Sequence, residues 1–340
     1  MKRILLSLTM LSLTAGILLV ACAGAQATFE QRARLFDYDA KAPLDVREGS
    51  VEEVEGVQVH DITYASPKGG RVPAFLVTSS GKGPFAGIVL MHWGQGDRTE
   101  FFSEGVLYAK AGAVVLMIDA PYNRPGYQSA DEMTDPEKQR DMYVQLVVDL
   151  RRGFDLLLAR SDVDPKRLGY VGHSLGATQG GTLAGVEKRV RAYVLMGGLP
   201  SLTELSGKDW YSEFIRTHYS KEQIQKYIDL LAPINPENFI GHSAPAAILF
   251  QFAKHDRYIS EQAAAAYEKA AGEPKEARWY FTSHEFNDLE SLSDRADWLR
   301  WKLQMHPVVP LLQMRIARPR VPTQAPRSQE KTRTPVRMLA

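Results

Sequence analysis

The sequence predicts an α/β fold: a mostly parallel central sheet with helices on both faces and a small helical insertion. Three observations carry that expectation. Continuous apolar runs, Ala86-Gly87-Ile88-Val89-Leu90-Met91 and Ala113-Val114-Val115-Leu116-Met117-Ile118, have the length of strands covered on both sides. Amphipathic stretches alternate with them, as crossover helices would. A composition of 44% apolar and 24% charged residues over 340 residues supports a large core, and it argues against disorder or membrane spanning for the bulk of the chain.

The elements follow in order. Residues 57–64 and 72–78 alternate apolar and polar side chains around Pro67-Lys68-Gly69-Gly70, the pattern of an antiparallel hairpin at the sheet edge. After the strand at 86–91 come a helix near 101–111, stopped by Gly112, and the strand at 113–118, which ends at Asp119. A long helix spans about 136–159, and a short strand covers 167–171. The next helix holds Gly176, Ala177, Gly180, Gly181, Ala184 and Gly185. Glycines form helix poorly alone, so close packing on the sheet is expected to hold it. Further strands fall at 190–196, 246–252 and 277–282, with closing helices at 261–271 and 285–305. Residues 199–243 break the alternation, carrying Trp210, Tyr211, Phe214, Tyr219, Tyr227 and Phe239 between two strands. So long a connection points to a functional segment, here a lid over a pocket. No internal repeat is visible.

Both ends stand apart from this body, which the pattern places at 57–305 after a lead-in at 23–56. Residues 1–22 read as an export signal: Lys2 and Arg3 precede an apolar stretch, and small residues follow. Leu19-Val20-Ala21-Cys22 resembles a lipoprotein processing site, in which Cys22 would carry the lipid and attach the chain to a membrane. Ala23-Gly24-Ala25 and Ala25-Gln26-Ala27 suit ordinary signal cleavage instead, and both readings stay open. Either implies an exported protein of a bacterial envelope, periplasmic, lipid-anchored or secreted. Cys22 is the only cysteine, so no disulfide within the chain is expected. The segment 306–340 holds seven basic residues, one acidic residue and six prolines, and reads as a disordered basic tail. Of the chain's 41 basic and 40 acidic residues, 32 and 39 remain once the tail and the leader's two basic residues are set aside, so the body is near −7. Nucleic acid is not an expected partner of an acidic, exported body. Oligomeric state is not legible.

The chemistry centres on Gly172-His173-Ser174-Leu175-Gly176. A Gly-x-Ser-x-Gly turn between an incoming strand and an outgoing helix exposes its serine at the carboxyl edge of a sheet, and Leu168-Gly169-Tyr170-Val171 supplies the strand. Ser174 is therefore the candidate nucleophile. An acid and then a histidine should follow, each just after a strand. Asp256 follows 248–252 by a short loop, and His284 follows 279–283 directly. His255, His242, His306, Asp288, Asp294 and Glu204 are rivals, each with the wrong place or order. Oxyanion donors should be backbone N–H groups: that of Leu175, and one from His92-Trp93-Gly94-Gln95-Gly96, on Trp93 or Gly94. His92 is expected to brace that loop. Tyr122 and, in the insertion, Trp210 are candidate substrate-binding residues. Histidines are dispersed, and no metal cage or phosphate-binding loop is visible.

With Ser174, Asp256 and His284 in this order, the sequence resembles the α/β-hydrolase superfamily. Within it, the likeness is to the dienelactone-hydrolase-like and prolyl-oligopeptidase-like serine esterases. Dienelactone hydrolases use a cysteine where this chain has Ser174, and prolyl peptidases carry a propeller for which it has no room. The resemblance implies a cofactor-free hydrolase of a small-molecule carboxylic ester. A serine peptidase of the same fold, and a non-catalytic envelope lipoprotein that has kept it, are the alternatives.

Overall fold

The computed structural model describes residues 27–127, 133–204 and 210–317. The leader with Cys22 and the tail from 318 onward lie outside the described residues. Chain order begins with α1 (Phe29–Ala33), β1 (Arg47–Val54), β2 (Val57–Ala65) and β3 (Arg71–Thr78). Next come β4 (Phe85–Met91), α2 (Phe102–Lys110), β5 (Ala113–Ile118), α3 (Pro136–Leu158), β6 (Val163–His173), α4 (Leu175–Val186) and β7 (Ala192–Met196). The insertion contributes α5 (Trp210–His218) and α6 (Lys221–Leu231). The remainder is β8 (Ala247–His255), α7 (Glu261–Ala270), β9 (Lys275–Ser283), α8 (Leu289–Leu303) and α9 (Val309–Ala317).

The described strands form one sheet in the order β1-β2-β3-β5-β4-β6-β7-β8-β9. The β1-β2-β3-β5 pairings are antiparallel, and every pairing from β5 through β9 is parallel. The expected mostly parallel sheet is therefore present. Side chains leave a strand alternately to its two faces. Val89, Met91, Leu116 and Ile118 accordingly join a core shared with α3, α4 and α7. Ile88, Leu90, Val115 and Met117 join a second core with α2, α8 and α9. Two covered faces explain why β4 and β5 read as unbroken apolar runs.

Local chemistry sets the helix ends. Asp135 caps α3 by accepting the Lys138 N–H at 3.2 Å, and Pro136 fills a first-turn position that needs no donor. Met142, Leu146, Leu150, Phe154 and Leu157 then recur at helical spacing on the buried side. The small residues of α4 have the expected cause. A Cβ at Gly180 would sit 2.5 Å from Leu195 and 2.7 Å from Tyr170, while one at Gly181 would collide with the Tyr267 hydroxyl.

Two segments differ from expectation. The lead-in contains β1, whose residues are almost all exposed. It has no buried face to impose alternation, so its register comes from the backbone ladder with β2 alone. Glu48, Glu52 and Glu53 discourage a further strand from pairing there. The tail is not structureless from 306. Pro310 stands at the second position of α9, where its missing N–H costs nothing, and Val308 and Leu312 are buried in the second core.

Between α2 and α8 lies a buried ion pair. Arg295 Nε and Nη2 donate to Glu104 Oε1 and Oε2 at 2.9 and 2.8 Å, and the Tyr108 hydroxyl donates to the same carboxylate. Glu104→Ala leaves the guanidinium buried without its counter-charge. It should lower the unfolding free energy by about 3–5 kcal/mol, as read from urea denaturation. A loss below about 1 kcal/mol would show the pair to be dispensable.

Candidate active site

Strand β6 ends at His173 and α4 begins at Leu175, which leaves Ser174 alone at the turn with φ 52° and ψ −109°. A non-glycine residue in that region is strained, and such strain persists only where surroundings over-determine it. Here they do. The Ser174 N–H donates to Met196 O at 2.7 Å, and the Ser174 carbonyl accepts from the Thr178 N–H at 2.8 Å. A Cβ at Gly172 would run into the Gly176 carbonyl, and one at Gly176 would run into the main chain of Met91. Both glycines of the motif are thus required by close backbone approach. The turn leaves the Ser174 side chain partly exposed at the carboxyl edge of the sheet.

The candidate acid and base come from neighbouring strand ends. In the parallel β8–β9 ladder His255 faces Ser283, so the next residue on each strand, Asp256 and His284, emerge side by side. His284 Nδ1 lies 2.7 Å from Asp256 Oδ2. The other carboxylate oxygen accepts the Tyr258 and Ile259 N–H groups at 2.8 and 2.9 Å. An ionised carboxylate only accepts, so Nδ1 carries the hydrogen and Nε2 of the neutral ring is left basic. Both side chains are almost fully buried, with 1% and 2% exposure. Tyr258 packs edge-on against the imidazole with ring centroids 4.8 Å apart.

The ring is set against the Ser174 turn. Gly197 follows Met196, the acceptor for Ser174 N–H, and a Cβ there would lie 3.2 Å from His284 Cε1. His173, next to Ser174, has its ring centroid 5.1 Å from that of His284. Among the described residues, Ser174 Oγ and His284 share no direct hydrogen bond in this conformation. In unliganded hydrolytic sites that contact commonly tightens only with substrate.

The candidate oxyanion loop bears on the choice between Trp93 and Gly94. Trp93 N–H donates to Glu100 Oε2 at 2.8 Å, so it is not available to an oxyanion. That withdraws Trp93 as a donor. Gly94 faces the start of α4: a Cβ there would be 4.0 Å from Leu175 Cβ. The Leu175 N–H, at the first position of α4, has no acceptor within the helix. His92 is 1% exposed and braces the loop as expected. Its Nδ1 lies 2.6 Å from Trp93 O, and its Nε2 accepts the Ala120 N–H at 3.1 Å. Burial holds the ring below its ordinary pKa and so keeps it neutral. Tyr122 reaches the same loop, donating from its hydroxyl to Trp93 O at 3.3 Å. Burial raises its phenol well above the usual range, so it acts as a neutral donor.

The rivals fall elsewhere. His255 is exposed at the end of β8, His242 stacks on Phe29 with centroids 3.7 Å apart, and Asp288 caps α8. The insertion is helical: α6 packs along α3, with Lys226 Nζ 3.0 Å from Glu137, and the 3-10 turns at Pro236–Asn238 and Ile240–His242 pack on α4. The Trp210 side chain lies outside the described residues. Sequence reasoning did not single out Glu100, Tyr258 or Gly197, each of which touches this site.

No family model matches the chain, and no curated protein matches it by sequence. Solved structures do match. An acetyl xylan esterase from Paenibacillus sp. R4 superposes with a TM-score of 0.65 at 19% identity, over 81% of this chain and 93% of that one. Acetyl xylan esterase 1 from Thermoanaerobacterium sp. JW/SL YS485 gives 0.63 at 16% identity with the same coverage. An esterase from Pyrococcus furiosus gives 0.53 at 14% identity, over 76% of this chain and 97% of the other. The chain therefore has the α/β-hydrolase fold.

Proposed function

We propose that this chain is a serine hydrolase that cleaves a small-molecule carboxylic ester through an acyl-enzyme on Ser174. The observation that carries this reading is the buried His284–Asp256 pair at 2.7 Å, set beside a strained serine turn. The esterase descriptions of the structural neighbours support it. His284 Nε2 takes the Ser174 proton as Oγ bonds to the acyl carbon, and the N–H groups of Leu175 and Gly94 stabilise the resulting oxyanion. When the intermediate collapses, the C–O bond to the alcohol breaks and the alcohol takes the proton from His284. A water then repeats the sequence on the acyl-enzyme, releasing the carboxylic acid and freeing Ser174. No step calls for a cofactor. Tyr122 beside the oxyanion loop, Trp210 and the helical insertion shape the pocket in this proposal, the insertion as its lid. On the strength of the leader at 1–22 the enzyme is exported to the cell envelope, with Cys22 as lipid anchor where the lipoprotein cleavage is used.

A fluorophosphonate probe followed by peptide mass spectrometry tests the proposal. The expected result is one adduct, on Ser174, together with turnover of short-chain aryl esters and no turnover of matched amides. Amide cleavage at comparable rates would favour the peptidase. Absence of both adduct and turnover would favour a binding protein.

A further inference from the structure

The Gly-x-Ser-x-Gly pattern leaves the residue before the serine unspecified, yet here that residue is tied into the site from both ends. His173 is 3% exposed. Its Nδ1 lies 2.5 Å from Glu100 Oε1, and its Nε2 lies 2.7 Å from the main-chain oxygen of His284. Neither a carbonyl nor an ionised carboxylate donates, so the ring completes both bonds only with a hydrogen on each nitrogen. Glu100 uses its second oxygen to hold the Trp93 N–H at 2.8 Å. The aromatic neighbours of the ring are Trp93, stacked at 16° with centroids 6.1 Å apart, Phe286, edge-on at 5.9 Å, and the His284 ring itself. Glu100 is thus the charged group facing His173 directly, and Asp256 stands behind His284. One unbroken path runs from the oxyanion loop through Glu100 and His173 to the backbone of His284, and His173 is itself bonded covalently to Ser174.

We propose that His173, clamped between Glu100 and the His284 carbonyl, is a positioning residue that holds the base and the oxyanion loop in one register with the nucleophile. Asp256 orients the His284 ring from its Nδ1 side, and the clamp fixes the backbone from which that ring projects. Displacing a reacting group by about 1 Å can cost a hundredfold in rate, which is the scale at stake. This inference rests on the serine-hydrolase reading of the same site, and the test below separates the two.

The experiment measures kcat and KM for p-nitrophenyl acetate with the full chain. The variants are His173→Gln, His173→Asn, His173→Phe and Glu100→Gln, with Ser174→Ala as reference. The amide nitrogen of a glutamine falls near the position of Nε2 and can still donate to the His284 carbonyl. That of an asparagine falls near Nδ1 and cannot. Positioning therefore predicts an order: His173→Gln stays within about fivefold of wild type, while His173→Asn and His173→Phe lose about a hundredfold in kcat with KM little changed. A residue that only fills space would not separate glutamine from asparagine in this way. Asparagine equal to or better than glutamine overturns the clamp, as does full activity in all three. In either case an inactive Ser174→Ala leaves the hydrolase reading standing. Wild-type turnover in Ser174→Ala overturns that reading and the clamp with it.

Should the His173 variants fail to fold, Glu100→Gln and the wild type carry the test. Nitrogen NMR of histidine-labelled protein should show hydrogen on both His173 nitrogens in the wild type and loss of one in Glu100→Gln, with kcat lowered about tenfold. A bare ring nitrogen in the wild type, or unchanged kcat in Glu100→Gln, overturns the proposal.

Discussion

Ser174→Ala is expected to lower kcat for an aryl ester by about five orders of magnitude while leaving the unfolding midpoint nearly unchanged. Both halves of that expectation follow from the turn. The hydroxyl is the only group the substitution removes, and it lies on a partly exposed side chain outside both cores. Alanine keeps the Cβ, so the strain at φ 52° is neither added nor relieved. His284→Ala should lose activity to a similar extent, because a serine without its base is a poor nucleophile. The two losses should not multiply. Once either member is gone the other has nothing to act on, so the double variant should match the single ones, leaving only what oxyanion donors and binding supply. Steady-state kinetics on the three proteins decides it. More than a tenth of wild-type kcat in Ser174→Ala, or a multiplicative loss in the double variant, would remove residue 174 from the chemistry.

Asp256→Asn should cost about four orders of magnitude in kcat with no visible change in structure. The carboxamide is the same size, and its oxygen can still accept the Tyr258 and Ile259 N–H groups, now held at 2.8 and 2.9 Å. Its nitrogen then faces His284 Nδ1, where the carboxylate oxygen stood at 2.7 Å. Two donors cannot share a bond, so the hydrogen leaves Nδ1 and the ring carries it on Nε2 instead. Nε2 is then unable to take the serine proton. The loss comes from the wrong tautomer in the right place. A variant within tenfold of wild type would mean that Asp256 anchors its loop and does no more.

How much of this was legible in the chain depends on what each part is made of. The central strands were readable because burial on two faces leaves an unbroken apolar run, as in 86–91 and 113–118. The candidate nucleophile, acid and base were readable because each follows a strand in a fixed order, and β6, β8 and β9 were all recognisable. Strand β1 was not, since an exposed edge of Glu and Val carries no period. Helix α9 was hidden by Pro310, which reads as a breaker until its first-turn position is known. Glu100 was invisible for another reason. Its partner His173 lies 73 residues away, and no spacing rule links a loop acid to a ring brought near only by β4 and β6 pairing in parallel. The same carboxylate already holds the Trp93 N–H, which leaves Gly94 as the candidate donor of that loop.

The helical insertion leaves the sheet after β7 and rejoins it at β8, so it lies in the chain between Ser174 and the other two members of the candidate site. The strand ends that carry the candidate reactive groups and the segment proposed as their lid are therefore separate stretches of sequence. Such a division lets selection rewrite the inserted segment while the ladder that aligns Asp256 with His284 stays under its own independent constraint.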